Sequence, residues 1–253
     1  MVTNIKKYKY YSEVTYENNN YNIENEIMIK YKINTGKTFN NNEWTEIIDE
    51  NNYYYFDRIA KEKLRRLLTE NELRNFLFDL GANKDLIDKL VIKYKKYNFI
   101  NDDLYTKEYI SYRQYKEGPS LISKKLISKG ISQEIINENL KNIDENKIIT
   151  EKVESQLNKR IKQNKYEFQN KLKLDLIKKG YTKSYIYSIV DKMINQTKFD
   201  DLLVIEKDYQ KLIRKYENKK TKEELNYFIK TKLYQKGYSK NDIEYIISKE
   251  KDN

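Results

Sequence analysis

Leu126-Ile127-Ser128-Lys129-Gly130-Ile131-Ser132, Leu176-Ile177-Lys178-Lys179-Gly180-Tyr181-Thr182 and Leu233-Tyr234-Gln235-Lys236-Gly237-Tyr238-Ser239 are one heptapeptide written three times. Leu77-Phe78-Asp79-Leu80-Gly81-Ala82-Asn83 is a fourth, more divergent copy. The glycines Gly81, Gly130, Gly180 and Gly237 lie 49, 50 and 57 residues apart. A leucine stands four residues before each, and Leu73, Ile122, Leu172 or Ile229 stands eight before. Ile87, Ile136, Ile186 or Ile243 stands six after, followed by Leu90-Val91, Leu140, Ile189-Val190 or Ile246-Ile247. These spacings gather the apolar side chains on one face of a helix either side of the glycine. Glycine ends the first of these helices because it takes the left-handed conformation without steric cost. Two residues on, Asn83, Ser132, Thr182 or Ser239 is suited to cap the next helix.

Upstream of each glycine-ended helix there is room for one more. Thr69-Glu70-Asn71-Glu72 and Thr221-Lys222-Glu223-Glu224 read as capping boxes that start it. Pro119, the only proline, follows Gly118 and suits a first helical turn. Asp102-Asp103 and Asp200-Asp201 are placed to cap the first helix of a repeat. A period near 50 residues is therefore three helices, too few to bury a core alone, and the repeats must stack. The expected fold is predominantly α: tandem three-helix repeats in an elongated, solenoid-like array, with a small N-terminal β-containing module. Its expected parts are the module with a linking helix (1–57) and repeats over 58–101, 102–149, 150–198 and 199–253. In the module, alternation over Tyr10–Tyr16 predicts a strand, Asn18-Asn19-Asn20 a turn, and Tyr21-Asn22-Ile23 a return. A short helix is expected over 25–31, and another capped by Asn40 to Asn42 and carrying Trp44, Ile47 and Ile48.

Composition narrows the function. The 253 residues include no His and no Cys. Catalytic triads that need imidazole or thiol, His/Cys zinc sites and disulfides are excluded. The six glycines make no phosphate-cradling loop. No enzyme is expected, and no cofactor or metal. No apolar run approaches the ~18 residues of a membrane span, and the N-terminus lacks the apolar stretch of a signal peptide. A cytoplasmic protein without a membrane partner is expected. Hydrophobic residues make up 38% and charged residues 35% of the chain, against ~45–50% and ~25% in an average domain, which suits thin helical layers. The net charge is +11. Residues 1–57 hold 6 Lys and Arg against 9 Asp and Glu, leaving 44 against 30 for the rest. A basic body points to a polyanion or an acidic protein groove. A chain rich in Lys, Asn, Ile and Tyr with only Ala60 and Ala82 also fits an AT-rich genome, which inflates lysine without selection for binding.

Phe99-Ile100-Asn101-Asp102-Asp103, Glu117-Gly118-Pro119, then Ile122, Leu126, Lys129-Gly130-Ile131-Ser132 and Ile135-Ile136 resemble the RecX regulatory family. That family carries a hydrophobic-Asp-Asp turn and a Gly-Pro opening a helix that ends in Lys-Gly-Ile. Ile27 to Tyr31, Gly36-Lys37 and Glu43 to Ile48 resemble the leader of its longer, Gram-positive-type members. Asn98 stands where the family has a glycine before the turn, and Arg65-Arg66-Leu67-Leu68-Thr69 keeps only part of a basic segment found there. The resemblance implies tandem three-helix repeats and a non-enzymatic regulator of recombination and DNA repair. Such a protein binds the RecA–DNA filament and modulates, usually inhibiting, RecA ATPase and strand exchange. A monomer is expected. A basic helical-repeat protein that competes for single- or double-stranded DNA without touching RecA is the alternative.

The basic positions proposed to meet the partner are Arg65, Arg66 and Arg74, then Arg113, Lys124, Lys125 and Lys129, and later Lys178, Lys179 and Lys236. Lys129, Lys179 and Lys236 each precede a repeat glycine. Singly, each is explained by a cation's affinity for a helix C-terminus; as a row on stacked repeats they would form a basic stripe. Arginine is scarce here and makes planar, bidentate contacts, which favours Arg113 and the Arg65-Arg66 pair. The 25 tyrosines suit stacking on single-stranded bases or half-buried helix faces. The paired aspartates point ~100° apart on a helix and do not converge on one ion.

Overall fold

The computed structural model describes residues 1–159 and 161–249. Three strands, β1 (Val2–Lys7), β2 (Tyr11–Tyr16) and β3 (Asn19–Glu24), form an antiparallel sheet in that order. Thirteen α-helices follow among the described residues: α1 (Asn25–Lys30), α2 (Asn41–Lys63), α3 (Glu70–Asp79), α4 (Lys84–Lys96), α5 (Asp102–Arg113), α6 (Pro119–Ser128), α7 (Gln133–Leu140), α8 (Glu145–Leu157), α9 (Lys165–Lys178), α10 (Lys183–Gln196), α11 (Asp201–Tyr216), α12 (Lys222–Gln235) and α13 (Lys240–Lys249). The chain is predominantly helical, with tandem three-helix repeats and a small N-terminal sheet, as the sequence pattern requires.

Two compact units emerge: residues 1–108 with 126–136, and residues 109–125 with those from Asn137 on. In the first, Val2, Val14, Tyr16 and Ile23 of the sheet pack with Ile27 of α1 and with Trp44 and Ile47 of α2. Trp44 stacks on Tyr16 with ring centroids 4.0 Å apart. Asn40 and Glu43 make a capping box at the start of α2. That helix runs 23 residues, past the module boundary expected at 57. Its second half, through Phe56 and Ala60, is the first helix of the first repeat and packs with Leu73, Leu77, Ile87, Leu90 and Val91. In the second unit, α8, α9 and α10 enclose Ile149, Val153, Leu172, Leu176, Ile186 and Val190, and α11, α12 and α13 enclose Ile205, Ile229, Leu233, Ile243 and Ile246.

β1 is the element the sequence reading lacks. Its register against β2 shifts between Val2 and Asn4, so that Val2 faces Tyr16 and Ile5 faces Val14. The extra residue breaks the two-residue alternation that marks a strand.

All four glycine-ended helices close the same way. The glycine N–H reaches back three residues, and the next N–H reaches back to the leucine four before the glycine: Ala82 to Leu77, Ile131 to Leu126, Tyr181 to Leu176, Tyr238 to Leu233. These are Schellman closures, with the glycines at φ of +81° to +89°. Asn98, in place of the family's glycine, adopts φ +59°, a conformation Asn tolerates better than most residues. Asn83 and Ser239 cap the following helices as expected, and Ser132 lies 3.5 Å from the N–H of Ile135. Thr182 departs from the pattern: it makes no side-chain cap, because Glu145 accepts from both its N–H and its hydroxyl at 2.8 Å.

Asp57 ties α2 to α4. Its buried carboxylate accepts from Lys93 at 2.6 Å and from the Tyr94 hydroxyl at 2.7 Å, and Lys61 lies 3.0 Å away. Burial alone would raise this carboxyl, but Lys93, Tyr94 and Lys61 outweigh it and hold it below the usual aspartate range. Burial and Asp57 push the Tyr94 hydroxyl well up.

Two outcomes are expected. A carboxyl depressed by folding contributes stability that is present above pH ~4 and is lost as pH falls through its lower folded value. Asp57→Asn removes that dependence and leaves two lysines without their partner, lowering stability by about 1–3 kcal/mol; urea denaturation at pH 7 and pH 3 measures both effects. Separately, a Cβ on Gly118 would lie 2.4 Å from the backbone of Gly180 and Tyr181, whereas one on Gly81 would meet nothing within 4 Å. Gly81→Ala therefore carries only the left-handed penalty of about 1–2 kcal/mol, and Gly118→Ala must lower the melting temperature further.

Candidate partner-binding surface

Lys129, Lys179 and Lys236 lie at three joints that link one repeat to the next. In each, the residue at the N-terminus of a glycine-ended helix donates to the carbonyl of the lysine before the following repeat's glycine. The Thr69 hydroxyl donates to the Lys129 carbonyl at 2.8 Å, the Gly118 N–H to that of Lys179 at 2.7 Å, and the Asn164 side-chain amide to that of Lys236 at 3.1 Å. The glycine permits the approach. A Cβ on Gly130 would meet Asn71 at 2.4 Å, one on Gly180 would meet Leu121 at 2.7 Å, and one on Gly237 would meet Tyr166 at 2.2 Å.

In two of the joints the first residue of the docked helix adds a bond. The N–H of Glu70 donates to Asp102 and that of Lys165 to Asp201, both at 2.9 Å. Asp102 is thus not the cap of its own helix; Asn101 accepts from Leu104 instead. Burial raises the Asp102 carboxyl, although the Glu70 N–H favours its charged form. Asp200 does cap α11, through Leu203. In the second repeat Pro119 occupies the same helical position and has no N–H to donate. The acid at the start of α8, Glu145, is turned to Thr182.

The lysine row is internally neutralised. Lys129 meets Glu72 at 2.6 Å, and Lys179 meets Asp175 at 2.6 Å. Lys236 meets Asp208 at 2.8 Å and lies 3.8 Å from Glu167. Burial would lower Lys129, but Glu72 and Tyr105 outweigh it and raise it. Arg74 is held between Glu70 at 2.7 Å and Asp88 at 2.5 Å. Glu117, buried at the entrance to α6, receives Arg113 at 3.2 Å and Lys125 at 2.7 Å. Arg113 Nε and Glu117 Oε2 are buried without hydrogen-bond partners among the described residues. Glu72, Asp88 and Asp208 come from other helices and are not legible beside their cations in the sequence, whereas Glu70, Glu117 and Asp175 stand at i,i+4 spacing from theirs. Asn164 caps α9 by accepting from the Glu167 N–H, a cap that the Asn-x-x-Glu spacing makes legible in the sequence.

Four of the ten basic candidates remain exposed with no ion-pair partner among the described residues: Arg65, Arg66, Lys124 and Lys178. Arg65 and Arg66 lie in the turn after α2, where the helix ends at Leu64. Arg65 borders a hollow of about 460 Å³ lined by Leu64, Tyr94, Tyr97 and Phe99, with Lys61 and Lys93 at its edge. Arg65 also lines a second hollow that holds Arg58, which pairs with buried Glu24 through two bonds of 2.8 Å. Aromatic carbon beside free guanidinium suits an anionic group carrying apolar surface. In the third repeat, Lys152 donates to the Tyr115 carbonyl and lines a groove with Lys179 and Gln156. Burial and the nearby Lys179 lower it.

No group of three or more potential metal ligands occurs among the described residues, and no described helix is long and apolar enough to cross a membrane.

No family profile matches the chain. Among curated proteins it is 29% identical to the regulatory protein RecX of Streptococcus pneumoniae (strain CGSP14), over 94% of each chain. With that of strain Taiwan19F-14 it shares 28% identity, over 87% of this chain and 88% of the other. Among solved structures, one of regulatory protein RecX aligns with a TM-score of 0.57 at 16% identity, covering 76% of this chain and 98% of that one. RecX from Lactobacillus salivarius aligns with a TM-score of 0.53 at 23% identity, covering 57% and 97%. The structural matches speak for the fold, and the curated proteins extend the likeness along nearly the whole sequence. The resemblance carried by the Phe99–Asp103 turn and the Gly118-Pro119 helix is thereby borne out: the chain is similar to proteins named regulatory protein RecX along nearly its whole length.

Proposed function

We propose that this protein is a non-enzymatic regulator of homologous recombination and DNA repair in the cytoplasm, acting by binding the RecA–DNA filament and restraining RecA's ATPase and strand exchange. The observation that carries this reading is the likeness to proteins named regulatory protein RecX over 94% of the chain. The four repeats, bounded near residues 58, 102, 150 and 199, act as the scaffold. The free cations Arg65, Arg66, Lys124 and Lys178 make the contacts, because lysines already matched by internal carboxylates have little charge left to offer. The aromatic hollow beside Arg65 accepts an acidic segment of the recombinase that carries an apolar side chain. Bound across neighbouring RecA subunits, the protein hinders subunit addition and the motions that couple ATP hydrolysis to strand exchange. No covalent step is needed.

The test is the ATPase of the cognate RecA on single-stranded DNA with this protein titrated in at fixed salt, beside its direct binding to DNA alone. Inhibition well below the concentration that coats the DNA is expected. Inhibition only at DNA saturation, with a steep salt dependence, would instead indicate competition for the lattice. Charge reversal of Arg65 and Arg66 is expected to raise the half-inhibitory concentration roughly tenfold. It should leave the melting temperature nearly unchanged, since neither side chain has an ion-pair partner among the described residues.

A further inference from the structure

Three joints of one design leave two halves unused. In the last repeat, Thr221 and Glu224 form the same capping box as Thr69 and Glu72. Thr69 is 0% and Asn164 1% exposed beneath the next repeat, whereas Thr221 is exposed. In the first repeat, Gly81 closes its helix at φ +89° like the other repeat glycines, yet no atom approaches the position its Cβ would take. The rim of this helix end is apolar and acidic. Phe78 is 71% and Leu80 44% exposed, with Asp79 exposed between them. Exposed Lys219 and Lys222 flank Thr221, with Glu223 and Glu224 exposed beyond them.

We propose that a second copy of this chain joins the two halves: the N-terminus of α12 in one molecule docks on the Leu80-Gly81 end of α3 in another. The Thr221 hydroxyl donates to the Leu80 carbonyl, as Thr69 does to Lys129. Glu223 lies over Gly81, as Asn71 lies over Gly130. Lys219 and Lys222 face Asp79, and Phe78 and Leu80 lose their contact with water. The contact is heterologous, so each molecule offers one half of each kind and copies add head to tail. Leu80 keeps the contact weak, because it places no cation opposite Glu224 where Lys129 meets Glu72. This replaces the monomer expected from the sequence. It rests on the joints alone and not on the RecA reading.

Sedimentation velocity of the full chain over a wide concentration range tests it. A boundary that moves to larger species with concentration is expected. Leu80→Lys, which restores the missing cation, should lower the concentration at half-association roughly fivefold. Proximity is read independently, since the chain has no cysteine. Leu80→Cys and Glu223→Cys alter exposed residues, and a short bismaleimide should link the two variants when they are mixed, faster than it links either alone. A monomeric boundary at every concentration for both the wild type and Leu80→Lys overturns the inference. So does cross-linking that is no faster in the mixture.

Discussion

The close approach of one helix's N-terminus to the C-terminus of another, at Gly130, Gly180 and Gly237, is the contact on which the remaining structure depends. Each glycine turns the chain left-handed and clears the space above its own backbone. Asn71, Leu121 or Tyr166 of the docked helix fills that space, while Thr69, Gly118 or Asn164 at its N-terminus donates to the carbonyl of the lysine before the glycine. The positive end of one helix dipole thus meets the negative end of another. Orphan groups at both termini are satisfied in one place, and the cap residue is buried without loss of hydrogen bonding. Hydrophobic packing holds each repeat together, but this polar contact sets how one repeat follows the next.

The same contact decides where the chain's charge is available. An excess of 14 positive charges in residues 58–253 suggests a uniformly basic surface. The ion pairs leave that excess unchanged and decide which cations carry it: Glu72, Asp175 and Asp208 take the three lysines that precede the repeat glycines, and Glu117 takes Arg113 and Lys125. Of the ten candidate positions, Arg65, Arg66, Lys124 and Lys178 stay available to a partner, with Arg65 beside aromatic carbon the most distinctive. The lysine row is first a structural device, supplying carbonyls and ion pairs to the joints.

Much of the fold is legible in the sequence because glycine and leucine at fixed offsets have few structural meanings. The helix ends at Gly81, Gly130, Gly180 and Gly237, the boxes at Thr69 and Thr221, and the buried leucines and isoleucines all follow from spacing. β1 does not, because a bulge spoils its alternation. Nor does the role of Asp102, whose neighbours on the chain suggest a cap while its actual donor, Glu70, lies 32 residues away. The candidate site is less legible still. Sequence identifies cations, but whether a cation is free depends on carboxylates brought in from other helices, as Asp208 is to Lys236 across 28 residues. Arg74 looks as available as Arg65 until Asp88 is placed beside it.

The joints have a bearing on inheritance. Their acceptor is always a main-chain carbonyl, and the donor is a hydroxyl in one, an amide side chain in another and a bare N–H in the third. Such a connection asks for a glycine and a short polar or backbone donor, and little else. Codon drift toward Lys, Asn and Ile therefore rewrites most of the surface without disturbing the architecture, and ancestry fades from the letters sooner than from the shape.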